Sequence, residues 1–112
     1  MKAQLLLVLA GTSLTACAAS PINCKKAHTA TEHTICSSAE LLQADARMTA
    51  YFEIATQFVG MGVRGDLGES QQRFPAERDK CGRNKTCILE AYQKQTAPLE
   101  AIIANVKTRC PF

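Results

Sequence analysis

SSAELLQADARMTAYFEIATQFV, residues 37–59, decides the fold of this chain. It opens with a hydroxyl residue, Ser37, and a glutamate three places on, Glu40. That is a capping box: the hydroxyl accepts from a first-turn N–H while the glutamate reaches back. Leu41, Asp45, Met48, Phe52, Ala55 and Val59 then recur at spacings of three and four, with Tyr51 and Phe58 beside them. Apart from Asp45 this is one apolar stripe, and its spacing belongs to the face of a helix rather than of a strand. The stretch predicts a long helix near residues 38–59.

Downstream, GMGVRGDLG holds four glycines in nine residues. Glycine loses the most backbone entropy on ordering, so this density predicts a helix end and a loop. A third helical segment is expected from about Leu67 or Ser70 to Cys81. Pro75 is a blemish there and fits best in a first turn, where its missing N–H costs nothing. CGRNKTC, residues 81–87, then makes a corner. The last helix begins near Asn84 to Thr86. Ile88, Ala91 or Tyr92, Gln95, Leu99, Ile102 or Ile103, and Val106 line its inner face, and Pro98 predicts a kink or a new start. β-Branched residues do not cluster in alternating runs. The expected architecture is therefore all-α: two long antiparallel helices, near 38–59 and 85–107, with shorter helical segments stapled at the ends.

Upstream lies CKKAHTATEHTIC, residues 24–36. Thr29 and Glu32 form another capping box, predicting a short helix to about Cys36. Two cysteines and two histidines in this stretch admit two readings. His28 and His33 have the spacing of a zinc half-site, with Cys24 and Cys36 as the remaining ligands. Alternatively the cysteines pair with each other and the histidines are exposed or helix-end residues. Compartment weighs on the choice, because exported cysteines oxidise.

The chain starts MKAQLLLVLAGTSLTAC. Lys2 followed by an apolar run at residues 5–10 is too short to span a bilayer, which takes about 20 apolar residues. It reads as a secretory signal covering residues 1–17. Leu14-Thr15-Ala16-Cys17 resembles a bacterial lipobox, which makes Cys17 the lipidated N-terminus of an anchored protein. Ordinary cleavage after Ala18 also fits the small-residue rule. Residues 18–23 are then a short tether and residues 24–112 a single domain. Such a domain is marginal without cross-links.

Without Lys2 the chain keeps twelve basic and ten acidic residues, a net charge of about +2. The charges are interleaved and no basic run exceeds two residues, which is no nucleic-acid footprint. No cofactor motif stands out: GMGVRG precedes no lysine–serine pair and follows no strand. With Cys17 lipidated or removed, Cys24, Cys36, Cys81, Cys87 and Cys110 remain, an odd number. The pairing stays open at this point. Locality favours Cys24–Cys36 and Cys81–Cys87, leaving Cys110 free or intermolecular, with a dimer through it as one outcome.

Four blocks in order carry a resemblance: NCKKAHTATEHTIC, LLQADARMTAYF, QQRFPAERDKC and TCILEAYQKQ. Together they resemble the domain of LprI-type lysozyme inhibitors. Cys24, Lys26, Ala27, Thr29, Glu32, Ile35 and Cys36 fit the first block, and Leu41, Asp45 and Tyr51 the second. Gln72, Arg73, Arg78, Asp79 and Cys81 fit the third, and Cys87 and Tyr92 the fourth. The resemblance implies an exported, often lipid-anchored, all-helical domain with two local disulfides. It also implies lysozyme as a protein partner. Pro75, the glycine-rich middle and the extra Cys110 depart from that pattern.

No catalytic constellation is evident. Glu77, Asp79 and Glu90 are carboxylates on helix faces, where solvation is the ordinary role. Arg78 and Asp79 are expected to pack, pairing with Asp45 or with helix ends. Lysozyme works with two carboxylates in a cleft. A basic side chain on a rigid turn suits that cleft, which singles out Arg83 and Lys85 as the candidate lysozyme contact. The rival reading is an envelope adaptor that binds another protein through its apolar or glycine-rich corner.

Overall fold

The computed structural model describes residues 21–109. These fold as an all-α domain with no strand among the described residues. Its helices are α1 (Ala30–Cys36), α2 (Ala39–Ala55), α3 (Met61–Asp79) and α4 (Lys85–Arg109), with 3-10 turns at Cys24–Lys26 and Thr56–Phe58. The signal and lipidation readings at residues 1–17, and Cys110, lie outside the described residues.

Local chemistry sets the helix starts. Thr29 Oγ1 accepts from the Glu32 N–H at 3.0 Å and caps α1. Ser38, rather than Ser37, caps α2 through the Leu41 N–H. Ser37 instead ends α1, donating its hydroxyl to the Thr34 carbonyl at 2.9 Å. Asn84 Oδ1 accepts from the Cys87 N–H at 3.0 Å and opens α4.

The core is Ile35, Leu41, Met48, Ala55, Phe74, Ile88, Tyr92 and Leu99. Six of these eight come from the stripes of α2 and α4, which make the most extensive helix pairing in the fold. Removing a side chain of this size from water contributes about 1.5–3 kcal/mol. α1 adds Ile35 and α3 adds Phe74.

Helix directions follow from the cross-links. Thr31 of α1 bonds the Gly82 carbonyl just before α4, and α1 also packs on α2 and α4. Both α2 and α4 therefore start at the α1 end, run the same way, and pair Asp45 with Tyr92. The antiparallel relation belongs to α3 and α4: Phe74 meets Tyr92, while Ser70 and Gln71 meet Gln95.

Further expectations change. The helix begun at Ser38 stops at Ala55, short of residue 59, and turns through a 3-10 segment. The glycine-rich stretch is not a loop but the first half of α3, with Gly60 as its N-cap. Glycine makes a helix costly, about 1 kcal/mol each against alanine, without forbidding it. Arg64 offsets part of that cost: its Nε donates to the Thr56 carbonyl at 2.9 Å and its Nη2 to Val59 at 3.4 Å, tying the new helix to the end of the old one. Pro75 therefore sits one turn before the end of α3 rather than in a first turn, on its exposed side. Pro98 likewise lies inside an unbroken α4. Finally, the domain starts before Cys24. The Ile22 N–H donates to Asp45 Oδ2 at 2.8 Å, so the end of the expected tether is part of the fold.

Candidate functional site

The corner between α3 and α4 is CGRNKTC. Cys81 and Cys87 are bridged, and so are Cys24 and Cys36. The first bridge closes a seven-residue turn. Gly82, three positions past Asp79, takes φ +58°, the left-handed region in which a Cβ is strained. Successive backbone bonds coil the turn: Cys81 N–H to Arg78, Gly82 N–H to Asp79, and Asn84 N–H to Cys81.

A tether from α1 holds the turn from below. Thr31 is 1% exposed, and its hydroxyl lies 2.7 Å from the Gly82 carbonyl and 3.2 Å from that of Asp79. The bridge, the glycine and this hydroxyl leave the turn little freedom. Arg83 and Lys85 stand exposed upon it and make no ion pair among the described residues. The corner is thus a rigid knob carrying two unshared positive charges.

Beneath it lies a polar layer. Arg78 is buried, and its Nε and Nη2 each reach Asp79 Oδ1 at 2.9 Å. Its guanidinium sits 6.0 Å from the Phe74 ring centre, and Phe74 meets Tyr92 at 5.1 Å. Burial alone works against the Arg78 charge, but the Tyr92 oxygen and the Asp79 carboxylate outweigh it, and its pKa is raised. The Tyr92 hydroxyl donates to Asp45 Oδ1 at 2.9 Å. Burial, then the Asp45 charge, push the Tyr92 pKa up, with Arg78 pulling the other way. Arg78 pairs with its own neighbour and Asp45 with Tyr92, so these two expected partners are satisfied separately.

Between α2 and α3 opens a groove of about 750 Å³, floored by Met48, Phe52 and Phe74 and edged by Ile22, Gln71 and Arg78. His28 and Glu32 reach its rim, with His28 Nδ1 3.6 Å from Glu32 Oε1. His28 also faces the Lys26 carbonyl at 3.3 Å. The Cys24–Cys36 bridge takes both thiolates that a zinc site here would need. No serine hydroxyl is hydrogen-bonded to His28 or His33 among the described residues. Of the three carboxylates noted, Glu77 is held by Lys80 at 3.0 Å, Asp79 by Arg78, and Glu90 is exposed.

Sequence reasoning singled out Arg83 and Lys85 and gave the Cys81–Cys87 bridge that the structure shows, but it missed how Thr31 and Gly82 shape the turn. A glycine just past a helix end is a signal for the left-handed cap. Thr31 carries no such signal, because its partners lie about fifty positions away. Comparison of the chain with protein-family models, with curated proteins and with solved structures found no match.

Proposed function

We propose that this protein is a binding protein of the cell envelope, exported and anchored through lipid on Cys17, that inhibits lysozyme with its stapled corner. The observation that carries the reading is the placement of Arg83 and Lys85: exposed, unpaired with any described acid, and fixed on a turn closed by Cys81–Cys87. A glycosidase cleft with two carboxylates attracts cations. A rigid turn enters such a cleft at low ordering cost, because its conformations are lost at folding rather than at binding. With a net charge near +2, attraction is local to the corner rather than long-range.

The test is a titration of the exported chain from Ala18 against c-type, g-type and i-type lysozymes on cell-wall substrate. Inhibition saturating near one-to-one is the expected result. It should be lost in the Arg83→Ala, Lys85→Ala double variant, which replaces two exposed side chains outside the core. Folded protein that inhibits no class at micromolar excess would end the reading. Anchoring is read separately, by partition of the natural protein and its Cys17→Ser variant between detergent and aqueous phases.

One observation favours the second reading, an envelope adaptor. Ile54, Phe58, Met61 and Val63 are exposed together where α2 passes into α3. Soluble monomers seldom group large apolar side chains in this way without a use for them.

A further inference from the structure

The groove between α2 and α3, about 750 Å³, has the size of a small-molecule site. α2 and α3 run in opposite senses, since each is fixed against α4. Asp45 of α2 therefore shares one end of the groove with Arg78 and Asp79 of α3, while Phe52 and Gly68 share the other. Two helical turns, about 10 Å, separate the ends. Met48, Phe52 and Phe74 form an apolar floor that leads to the polar end.

Glu32 joins the polar end, because its neighbour Thr31 bonds the Asp79 carbonyl at 3.2 Å. The Glu32 side chain is only 14% exposed, yet its carboxylate accepts no hydrogen bond among the described residues. Thr29 caps α1, but its own N–H does not reach Glu32 as the return half of a capping box would. His28 Nδ1 stands 3.6 Å away on a side chain that is 81% exposed. A carboxylate drawn out of water without a donor is costly, and an N–H of a bound cation would supply one. The groove's charge has the same sense. Glu32, Asp45 and Asp79 line it against one guanidinium, Arg78. Arg78 pairs with Asp79, and Asp45 accepts from two neutral donors, Tyr92 and the Ile22 N–H. Two negative charges, those of Glu32 and Asp45, are therefore not offset by a fixed cation.

We infer that this groove binds a small organic cation, with its ammonium group on Glu32 and its apolar body along Phe52 and Phe74. Among the described residues no three His, Cys, Asp or Glu side chains are grouped as a metal site, so the cation is an organic one. The aromatic floor suits it, because ring faces attract cations. An open groove rests on the export reading, under which only Ala18, Ala19 and Ser20 precede Pro21. None of the three carries a cation or a large apolar side chain.

Three probes with one body and different heads test this: 4-phenylbutylamine, 4-phenylbutanol and 4-phenylbutanoate. Each is titrated at neutral pH into the natural protein and into the chain from Ala18, and backbone amide shifts are followed. The amine should saturate at about millimolar strength, as befits so small a ligand. Its shifts should centre on Phe52, Gly68 and Phe74, and it should bind at least about tenfold tighter than the butanoate. Glu32→Gln should weaken the amine about tenfold and leave the alcohol unchanged, a difference that a merely structural role would not produce. Gly68→Leu should block all three probes. A Cβ at Gly68 meets nothing within 4 Å and the position is helical, so this variant keeps its fold. The butanoate binding as tightly as the amine would overturn the inference and assign the groove to Arg78 and an anion. Amine binding that is indifferent to Glu32→Gln or to Gly68→Leu would overturn it, as would no saturable shift with any probe. Binding by the chain from Ala18 but not by the natural protein would also overturn it, giving the groove to what precedes Ala18. Lysozyme titration reads the other corner, so either result can fail without the other.

Discussion

Tyr92 Oη donates to Asp45 Oδ1 at 2.9 Å, with the two residues 1% and 4% exposed. The second Asp45 oxygen accepts the Ile22 N–H. One carboxyl therefore joins α4, α2 and the segment before α1. Asp45→Ala strands a buried hydroxyl and a half-buried N–H. It should cost about 3 kcal/mol, since each orphaned polar group carries its own desolvation penalty. Tyr92→Phe keeps the shape, leaves one carboxyl oxygen short of a donor, and should cost about 1–2 kcal/mol. Urea midpoints with an unchanged slope would read both values.

The same pair makes stability fall in alkali. Tyr92 has its folded pKa raised above its ordinary value, so the folded state holds the phenol proton more tightly than the unfolded chain does. Its contribution is complete below the unfolded value, about pH 10. It declines as the pH rises above that and is lost on passing the folded value. Arg78, also raised, loses its share in the same direction at still higher pH. Wild type should therefore keep its stability advantage over Tyr92→Phe up to about pH 10 and lose it progressively between there and the raised folded value. Equal slopes for the two proteins over that interval would reject the assignment.

The stripes of α2 and α4 were legible because burial on one helix face repeats every three or four residues, and Leu41, Met48, Ala55, Ile88, Tyr92 and Leu99 all follow it. The bridges were legible by locality, since each closes a short loop at a helix end. Asp45 stood out as a polar residue in an apolar stripe, yet its partner is 47 positions away and no local pattern points to Tyr92. The glycines misled for a different reason. Propensity describes an isolated segment, whereas α3 is held by Arg64 at its start and by Phe74 and Arg78 near its end. At the candidate site, the charges of Arg83 and Lys85 are visible in the sequence. The hold on the turn that carries them depends on Thr31, which only the folded chain brings there.

Glycine-to-alanine changes should split by backbone conformation. A Cβ at Gly62 or Gly65 would meet nothing within 4 Å, and both residues are in α3. Each alanine should stabilise the protein by up to about 1 kcal/mol through helix propensity. Gly82 has equally open space but φ +58°. Alanine there should destabilise by about 1–2 kcal/mol, the penalty of left-handed backbone for a residue with a Cβ. Thermal melts of the three variants check the sign in each case, and stabilisation by Gly82→Ala would contradict the described turn.

Removal of the two bridges, one at a time as Cys→Ser pairs, should have unequal effects. In the chain-entropy model a cross-link stabilises by limiting the unfolded chain, and the effect grows with the logarithm of the loop. Cys24–Cys36 spans 12 positions and Cys81–Cys87 spans 6. The model gives about 3 kcal/mol for the first and about 2 kcal/mol for the second. Native contacts should widen the gap. The first bridge closes the segment that begins at Ile22 and α1, whose short helix buries only Thr31 and Ile35. The second turn keeps its hold from Thr31 and from the Asn84 cap when the sulfurs are gone. Losing Cys81–Cys87 should therefore loosen the corner without releasing it. Amide exchange would show faster Gly82 and Asn84, while Ile88 and Tyr92 stay protected. Under the inhibitor reading, lysozyme binding by that variant should weaken without being abolished. Greater instability from the shorter loop than from the longer one would mean that the corner, rather than the α1 segment, organises the fold.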